Sequence, residues 1–486
     1  NVSDVVSSNG ITVDTQPPTS TIQIASEYFN EASWSASTRI LGVASDGGSG
    51  LVSVEITIKD STSDLYFNGS DWQEEEYWLV ATGDEDWSYD LSVGQLTDGH
   101  AYRIHSRGID EVGNVQRVHG VDGFTYDDSE PETVMSIPFD HYNFSGWDSN
   151  APIQGSASDG TSHIQIIDIA VVNNSQGNTY FQGEVWIESE HWFRADGQES
   201  WATVLEAIYL TDGSQYSVYA RATDAAGNQD TSPAFDSFIF DSSPPGSHVF
   251  IEREFYNNDN WVDASSISGV SSDSTSGIDS VRISILRTSD GYWWNGSSQW
   301  VIDTTWLAPN GLESWSYPLN VNTLVNGVSY IVSSLAWDIA GNIQNGTGGD
   351  TLTYDVTVPN AGNVYDGSGQ SDQDWSNSTT ELSANWSNFN DGVSGIAGYE
   401  YAVGSTVAGT DILFWTENGT DTVFTQSISL NSGDTYYVSV RATDGADNVS
   451  NVGTSDGITI DAVDPSVSNI LEGSTDQDYD YQQDGT

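Results

Sequence analysis

Apolar and polar residues alternate over short stretches of this chain, and clusters of Gly, Asn, Asp and Ser separate these stretches. Runs of about five to eight residues with a period of two are typical of β-strands that have one buried face. No window carries the sustained i, i+3, i+4, i+7 apolar stripe with caps that marks an amphipathic helix. The pattern therefore predicts an all-β protein built from β-sandwiches.

One alternating segment recurs four times, with a tyrosine at its start and an Asp-initiated turn near its end. Its copies, YRIHSRGIDEVGNVQ, YSVYARATDAAGNQD, YIVSSLAWDIAGNIQ and YYVSVRATDGADNVS, begin at Tyr102, Tyr216, Tyr330 and Tyr436. Each copy predicts a strand, a D-x-x-G/D-N turn and a second strand, which is a β-hairpin. The recurrence of one supersecondary unit indicates a tandem array of modules.

Two further landmarks divide the chain into repeats. An Asp-rich turn between two strands stands early in each repeat, as ASDGGSGLVSVEI, ASDGTSHIQIIDI, SSDSTSGIDSVRI and FNDGVSGIAGYEY. Linkers that contain Pro, such as VDTQPPT and DDSEPET, mark the joins. Because Pro fixes φ and cannot donate to a β-ladder, these linkers should separate modules without being floppy. We predict modules at residues 16–127, 128–241, 242–355 and 356–461.

Three motifs carry a family resemblance: the A-T-D-x-A-G-N hairpin, the D-x-x-S-G-I turn and the D-x-x-P-P linker. With them, nearly the whole chain resembles the bacterial and archaeal immunoglobulin-like and fibronectin type III-like repeats of giant extracellular surface proteins. The first three repeats share a Trp-rich middle section, whereas the fourth, with Trp386 on an early strand, resembles a fibronectin type III module. The resemblance implies a tandem array of immunoglobulin-like and fibronectin type III-like β-sandwiches.

Both ends of the chain resemble parts of the fourth repeat. The opening NVSDVVSSNGITVD aligns with NVSNVGTSDGITID at 448–461, and the closing SNILEGSTDQDYDYQQDGT resembles GNVYDGSGQSDQDWSNSTT at 362–380. We therefore expect residues 1–15 to be the last strand of a preceding fibronectin-like module. Residues 462–486 should be the first strand of a following module, so that the chain is one stretch of a longer repeat protein.

Charge and composition exclude several functions. The 71 Asp and Glu residues against 11 Lys and Arg give a formal net charge of −60. Such a chain would be repelled by nucleic-acid phosphates and by an anionic membrane surface. The absence of Cys excludes disulfides, thiolate metal sites and Cys nucleophiles. No apolar run is long enough to cross a bilayer as a helix, so direct membrane insertion is not expected.

The repeated aspartates define candidate metal ligands. In an immunoglobulin-like sandwich the linker and two of the loops lie at the pole where the chain enters. The acidic landmarks should therefore converge, and clustered carboxylates of this kind suit Ca²⁺, which takes about six to eight oxygen ligands. The candidates are Asp14, Asp46, Asp110, Asp127, Asp128, Asp159, Asp224, Asp241, Asp273, Asp338, Asp355, Asp391 and Asp444.

Turn chemistry alone offers a second explanation of these aspartates. Asp and Asn at the start of a turn accept hydrogen bonds from nearby backbone amides, and Gly supplies the positive φ that such turns need. The loops also lack the D-x-D-x-D density of a dedicated calcium loop. The sequence leaves both explanations open.

Aromatic clusters and catalytic motifs bear on the remaining functional alternatives. Tyr292, Trp293, Trp294 and Trp300 form the densest aromatic group, which fits a sugar-binding platform; recurrence in alternating strands favours packing instead. The sequence contains no H-E-x-x-H zinc motif and no G-x-S-x-G nucleophile elbow, and no carboxylate pair stands out. We therefore expect no enzyme.

The expected function is that of a structural repeat segment, in which rod-like spacer modules belong to an extracellular surface filament, sheath or adhesin. Its partners would be copies of itself or neighbouring modules of the same long chain, and surface glycans are a further candidate. The alternative is a set of carbohydrate-binding modules attached to a secreted polysaccharide-active enzyme. Glycan affinity at Tyr292 to Trp300 would favour that alternative.

Overall fold

The computed structural model describes residues 10–37, 39–150, 153–264, 266–369 and 371–467. The strands expected for neighbouring modules, at 1–15 and 462–486, fall largely outside these ranges. The described residues form four β-sandwiches, which we call modules 1 to 4 and define by their first and last strands: Thr19–Tyr126, Glu132–Phe240, Gly246–Tyr354 and Asn363–Ile460. The chain divides into two compact units, one of residues up to Ser243 with Ile339–Asn342, the other of Pro244–Asp338 and residues from Ile343 onward.

The first unit contains modules 1 and 2. The strands of module 1 are β1 (Thr19–Gln23), β2 (Tyr28–Phe29), β3 (Arg39–Ser45), β4 (Leu51–Asp60), β5 (Leu65–Phe67), β6 (Trp72–Gln73), β7 (Leu79–Val80), β8 (Asp86–Asp90), β9 (His100–Asp110) and β10 (Gly120–Tyr126). One sheet has the order β1-β3-β8, and the other has the order β2-β10-β9-β4-β5-β6 with β7 paired to β4.

Module 2 repeats this arrangement. Its strands are β11 (Glu132–Met135), β12 (His141–Tyr142), β13 (Ile153–Ser158), β14 (Ile164–Asn173), β15 (Thr179–Gln182), β16 (Val185–Ile187), β17 (Phe193–Arg194), β18 (Asp196–Gly197), β19 (Ser200–Thr203), β20 (Ser214–Asp224) and β21 (Ala234–Phe240). The sheets have the orders β11-β13-β19-β18 and β12-β21-β20-β14-β15-β16, with β17 paired to β14.

The second unit contains module 4 and almost all of module 3. Module 3 has β22 (Gly246–Phe250), β23 (Phe255–Tyr256), β24 (Ser266–Ser272), β25 (Ile278–Arg287), β26 (Tyr292–Trp294), β27 (Trp300–Val301), β28 (Ser314–Pro318), β29 (Val328–Asp338) and β30 (Gly348–Tyr354). Its sheets have the orders β22-β24-β28 and β23-β30-β29-β25-β26-β27.

Module 4 has β31 (Asn363–Asp366), β32 (Trp375–Ser376), β33 (Glu381–Ser387), β34 (Ile396–Gly404), β35 (Leu413–Glu417), β36 (Val423–Ser427), β37 (Thr435–Asp444), β38 (Gly453–Thr454) and β39 (Ile458–Ile460). Its sheets have the orders β31-β33-β36 and β32-β39-β37-β34-β35, with β38 paired to β37.

In every module the second strand pairs in parallel with the last strand, as Tyr28 does with Thr125 in module 1. The entering chain therefore crosses from one sheet to the other, and the remaining pairs, such as β4 with β9, are antiparallel. Apolar side chains from both sheets fill the space between them, and each module has its own buried cluster. These features confirm the predicted array of immunoglobulin-like and fibronectin type III-like sandwiches.

Each of modules 1 to 3 contains a short helix that the alternation pattern did not predict: α1 (Glu31–Ser37), α2 (Phe144–Asn150) and α3 (Asn258–Ala264). Seven residues are too few to show an amphipathic period. Each helix is capped by an Asn side chain and buries a Trp four positions later, as Asn30 and Trp34 do in α1. The expectation that helices are absent was wrong for these segments.

The buried helical tryptophans also form directional contacts. The indole Nε1 of Trp34 donates to the carbonyl oxygen of Leu91 at 2.9 Å, and Trp147 and Trp261 make the equivalent bond to Leu205 and Leu319. Each bond thereby links the helix to a segment that lies much later in the same module. None of the helices among the described residues has the length and hydropathy required to span a membrane.

Candidate metal centres

The aspartate that ends the long hairpin strand of each module organises the turn that follows it. In module 2, Asp224 Oδ1 accepts from the amides of Gly227 and Asn228 at 2.7 and 2.8 Å, and Oδ2 accepts from Asn228 Nδ2 at 2.9 Å. Asp444 in module 4 and Asp110 in module 1 likewise accept from the backbone amide and from Nδ2 of the turn Asn, and each also accepts from the amide two residues later. The predicted turn chemistry is therefore present in the D-x-x-G/D-N motif.

The asparagine of the same turn holds the preceding linker. Asn228 Nδ2 also donates to the backbone carbonyl of Asp127 at 2.8 Å, and Asn448 Nδ2 donates to that of Asp355 at 2.9 Å. We call this pair of contacts, from one Asn amide to the turn Asp and to the linker Asp, the asparagine clamp. It places the linker aspartate next to the turn aspartate.

The third carboxylate comes from the turn between β13 and β14 in module 2, and from the turn between β33 and β34 in module 4. Asp159 Oδ1 accepts from the amides of Thr161 and Ser162 at 2.8 and 2.7 Å. Asp391 Oδ2 accepts from Val393 and Ser394, both at 2.8 Å. Each of these bonds fixes the carboxylate in a definite direction without a cation.

Three sets of candidate aspartates come together in space. In each set, one carboxylate oxygen from each residue lies within 4.8 Å of the others. The sets are Asp14, Asp46 and Asp110; Asp127, Asp159 and Asp224; and Asp355, Asp391 and Asp444. Three oxygens at this separation are close enough to bind one divalent cation. The residues present therefore fit a Ca²⁺ site.

Burial makes the close approach of carboxylates in the second and third sets electrostatically unfavourable without a cation. Asp127 is fully buried, and its Oδ2 has no hydrogen-bond partner among the described residues. Burial, together with the carboxylates of Asp159 and Asp224, raises the pKa of Asp127. Burial likewise raises the pKa of Asp444, and Asp355 adds to the effect. Negative charges held this close favour either protonation or a bound cation.

The first set differs because backbone amides donate hydrogen bonds to both carboxylate oxygens of its linker aspartate. Asp14 Oδ1 accepts from Gln16 N at 3.0 Å and Oδ2 accepts from Ser49 N at 2.6 Å. These backbone bonds lower the pKa of Asp14. Asp46 nevertheless has a buried Oδ1 without a partner among the described residues.

The remaining candidates take other positions. Asp128 lies at the start of α1, where its Oδ1 accepts from Glu31 N at 3.0 Å, and it does not join the set that contains Asp127. Asp241, in the first unit, accepts from Ser243 N at 3.0 Å. In the second unit, one carboxylate oxygen of Asp273 lies within 4.8 Å of one of Asp338.

A further acidic group was not among the sequence candidates. Asp366 at the end of β31, Asp372 in the following loop and Asp456 between β38 and β39 each place one carboxylate oxygen within 4.8 Å of the others. The spacing of Asp366, Asp372 and Asp374 in DGSGQSDQD could have suggested the first two. Asp456 joins them because the connection between β38 and β39 contacts Asp366, whose Oδ2 accepts from Gly457 N at 3.1 Å.

The dense aromatic group of module 3 is engaged in packing. Trp294 is buried, and Trp300 packs against Trp294 and Tyr330 with ring centroids 5.4 and 5.5 Å apart. The Arg287 guanidinium lies over the Trp300 ring, 4.6 Å from its centroid. These contacts favour the packing interpretation of the aromatic cluster over a sugar-binding platform.

Comparison with known proteins gives similarity only at the level of solved structures. No protein-family model and no curated protein matches the chain. A Ca²⁺-stabilized adhesin that helps an Antarctic bacterium reach out and bind ice is 16% identical, with a TM-score of 0.31, over 92% of this chain and 100% of that chain. A tetra-tandem repeat in the extending region of a large adhesion protein is 17% identical, with a TM-score of 0.34, over 92% and 99% of the two chains.

Similar structures also include fibronectin type III modules. The FN1–FN3 domains of chicken CNTN1 are 13% identical, with a TM-score of 0.26, over 64% of this chain and 94% of that chain. The structural neighbours are thus bacterial adhesin repeats and fibronectin III-like modules. The fold assignment itself rests on the strand pairings described above.

Proposed function

We propose that this chain is a non-catalytic spacer segment of an extracellular adhesin or related surface protein, and that Ca²⁺ binds where successive modules join. The spacer role rests on the architecture, since each sandwich encloses its own core and the turns hold the linkers. The similar adhesin repeats belong to proteins of that kind. We propose an extracellular location on the same ground.

One observation carries the calcium proposal. At the joint between modules 1 and 2, Oδ2 of the buried Asp127 has no hydrogen-bond partner among the described residues, and one oxygen of Asp127 lies within 4.8 Å of one from each of Asp159 and Asp224. A buried carboxylate without a partner costs free energy, and a hard cation with oxygen ligands removes this cost. Between modules 3 and 4, one oxygen from each of Asp355, Asp391 and Asp444 lies within 4.8 Å of the others. Here Thr357 N and Ser394 Oγ donate to the linker aspartate Asp355, and the buried oxygen without a partner among the described residues is Asp391 Oδ1.

Such an ion would connect three segments that are far apart in the chain. The linker, the turn that begins with Asp159 or Asp391, and the hairpin turn would share one cation, so bending at the joint would require breaking metal–oxygen bonds. A cation present at about 100 times its dissociation constant stabilises the binding state by about 2.7 kcal/mol per site. Calcium should therefore both raise stability and stiffen the joints.

Thermal unfolding and small-angle scattering test this proposal, in EDTA and then in millimolar Ca²⁺ at matched ionic strength. We expect Ca²⁺ to raise the melting temperature of the chain and to narrow its distribution of particle lengths. Asp224→Asn and Asp444→Asn should each reduce the rise caused by Ca²⁺, because each removes one charged ligand. Asp71→Asn, an exposed change of equal charge in module 1, is the matched control.

The variants are compared by the difference between their Ca²⁺ and EDTA melting temperatures, so a loss of turn hydrogen bonds in EDTA does not affect the result. An equal rise in wild type, both joint variants and the control would show that calcium does not bind at these joints. The turn aspartates would then serve turn formation alone.

A further inference from the structure

Module 4 contains an acidic group that belongs to none of the joints. Asp366 ends β31, Asp372 lies in the loop that follows, and Asp456 lies in the short connection between β38 and β39. One carboxylate oxygen from each lies within 4.8 Å of the others. The group therefore brings the first strand of the module next to the connection before its last strand.

Hydrogen bonds fix the described residues around this group. Asp366 N donates to Asp372 Oδ1 at 2.7 Å, and Gln373 N donates to the Asp366 carbonyl at 3.1 Å, which closes the loop. Asn385 Nδ2 donates to the carbonyls of Gly367 and Gly369 at 2.8 and 2.6 Å. The arrangement of Asp366 and Asp372 is therefore built into the fold.

Asp366 supplies an observation that is independent of the clustering. Its side chain has an exposed fraction of 0%, and Oδ2 accepts from Gly457 N at 3.1 Å. Oδ1 is equally buried and has no hydrogen-bond partner among the described residues. An unsatisfied buried carboxylate oxygen costs free energy, so a ligand that satisfies it would be bound favourably.

The charges around Asp366 are unbalanced. None of the ion pairs formed within the described ranges involves Asp366, Asp372 or Asp456. One oxygen from each of the three carboxylates lies within 4.8 Å of the others, which is close enough for all three to contact one small cation.

We propose that Asp366, Asp372 and Asp456 form a Ca²⁺ site within module 4, separate from the sites at the joints. Three carboxylates provide oxygen ligands of the kind that Ca²⁺ prefers, and water would complete its coordination. The ion would link β31, the first strand of the module, to the connection that precedes β39, the last strand. This role concerns one module and does not depend on the proposed joint sites.

Counting bound ions in the full chain tests the site, with Ca²⁺ itself as the probe. Isothermal titration calorimetry and equilibrium dialysis at matched ionic strength would give the number of ions bound per chain. Asp372→Asn keeps an oxygen that can accept from Asp366 N but removes the charge, and Asp456→Asn changes an exposed residue. Asp434→Asn, an exposed aspartate of the same module, is the matched control.

We expect Asp372→Asn and Asp456→Asn each to bind one ion fewer than wild type, whereas Asp434→Asn binds the wild-type number. The joint variant Asp444→Asn should lose a different ion, so that the double variant Asp444→Asn/Asp456→Asn loses two. Retention of the wild-type number by Asp456→Asn would overturn the site, whatever the joints do. If Asp372→Asn fails to fold by circular dichroism, Asp456→Asn decides the question by itself.

Discussion

The phenolic oxygen of Tyr330 accepts a hydrogen bond from the backbone amide of Val325 at 2.8 Å, and the whole residue is buried in the core of module 3. The same contact, from an amide five residues upstream, recurs at Tyr102, Tyr216 and Tyr436. A tyrosine corner of this kind is typical of immunoglobulin-like sandwiches. It fixes the polar turn that precedes each long hairpin strand.

Removing this hydroxyl should destabilise module 3. We expect Tyr330→Phe to lower the free energy of unfolding by about 0.5–1.5 kcal/mol, because the Val325 amide loses its partner while the packing of the ring is kept. Urea unfolding followed by tryptophan fluorescence measures the effect. Tyr292→Phe removes a hydroxyl from a half-buried residue of the same module outside the corner, and it is the control. Equal stabilities of the two variants would contradict the prediction.

The repeated motifs made most of the architecture predictable. Alternation predicted the long hairpin strands, and the D-x-x-G/D-N motif placed Asp224 and Asp444 at the ends of β20 and β37. The three helices could not be recognised, because a seven-residue segment has no measurable period. Their signal was instead the recurrence of an Asn cap four residues before a Trp, as at Asn257 and Trp261.

The candidate sites were predictable only in part. Convergence of linker and turn aspartates follows from the topology of a sandwich, which the repeats identified. The hydrogen bond from Asn228 to the carbonyl of Asp127 is a contact between residues far apart in the chain, and no spacing rule indicates it. For the same reason Asp456 could not be assigned to Asp366, although both stand in segments that were recognised as repeat ends.

The asparagine clamp of module 4 should hold the joint to module 3 even without a cation. Asn448→Ala removes the bonds to the Asp355 carbonyl and to Asp444 Oδ2, both 2.9 Å long. Other contacts remain at this joint: Ser394 Oγ donates to Asp355 Oδ2 at 2.7 Å, Asn260 Nδ2 donates to the Ala446 carbonyl at 3.1 Å, and Arg253 pairs with Asp447. We therefore expect a looser joint rather than an unfolded module.

Limited proteolysis in EDTA measures this effect at the linker between β30 and β31. Cleavage there should be faster in Asn448→Ala than in wild type, and the stability of the chain should fall by about 1–2 kcal/mol. Asn431→Ala is the matched control, because it removes an exposed Asn–Asp contact of the same module at a distance from the linker. The prediction fails if both variants are cleaved at the wild-type rate.

His105 should make module 1 less stable as the solution becomes acidic. Burial lowers the pKa of His105 from its ordinary value of 6.5, and the charges of Arg103, His119 and Lys59 act in the same direction, against Glu76. The His119 ring lies 6.1 Å from the His105 ring, between centroids. The folded state thus binds a proton at this site more weakly than the unfolded state does.

The sign of the pH dependence follows from this difference in proton binding. A histidine whose pKa is lowered by folding contributes stability that is fully present above pH 6.5 and is lost as the pH falls through that value toward the folded pKa. Melting temperatures between about pH 7.5 and about pH 5, measured in EDTA, should therefore fall less steeply for His105→Gln than for wild type. His248→Gln, at an exposed position on β22, is the control and should follow the wild-type curve. Parallel curves for wild type and His105→Gln would show that His105 does not titrate differently in the folded chain.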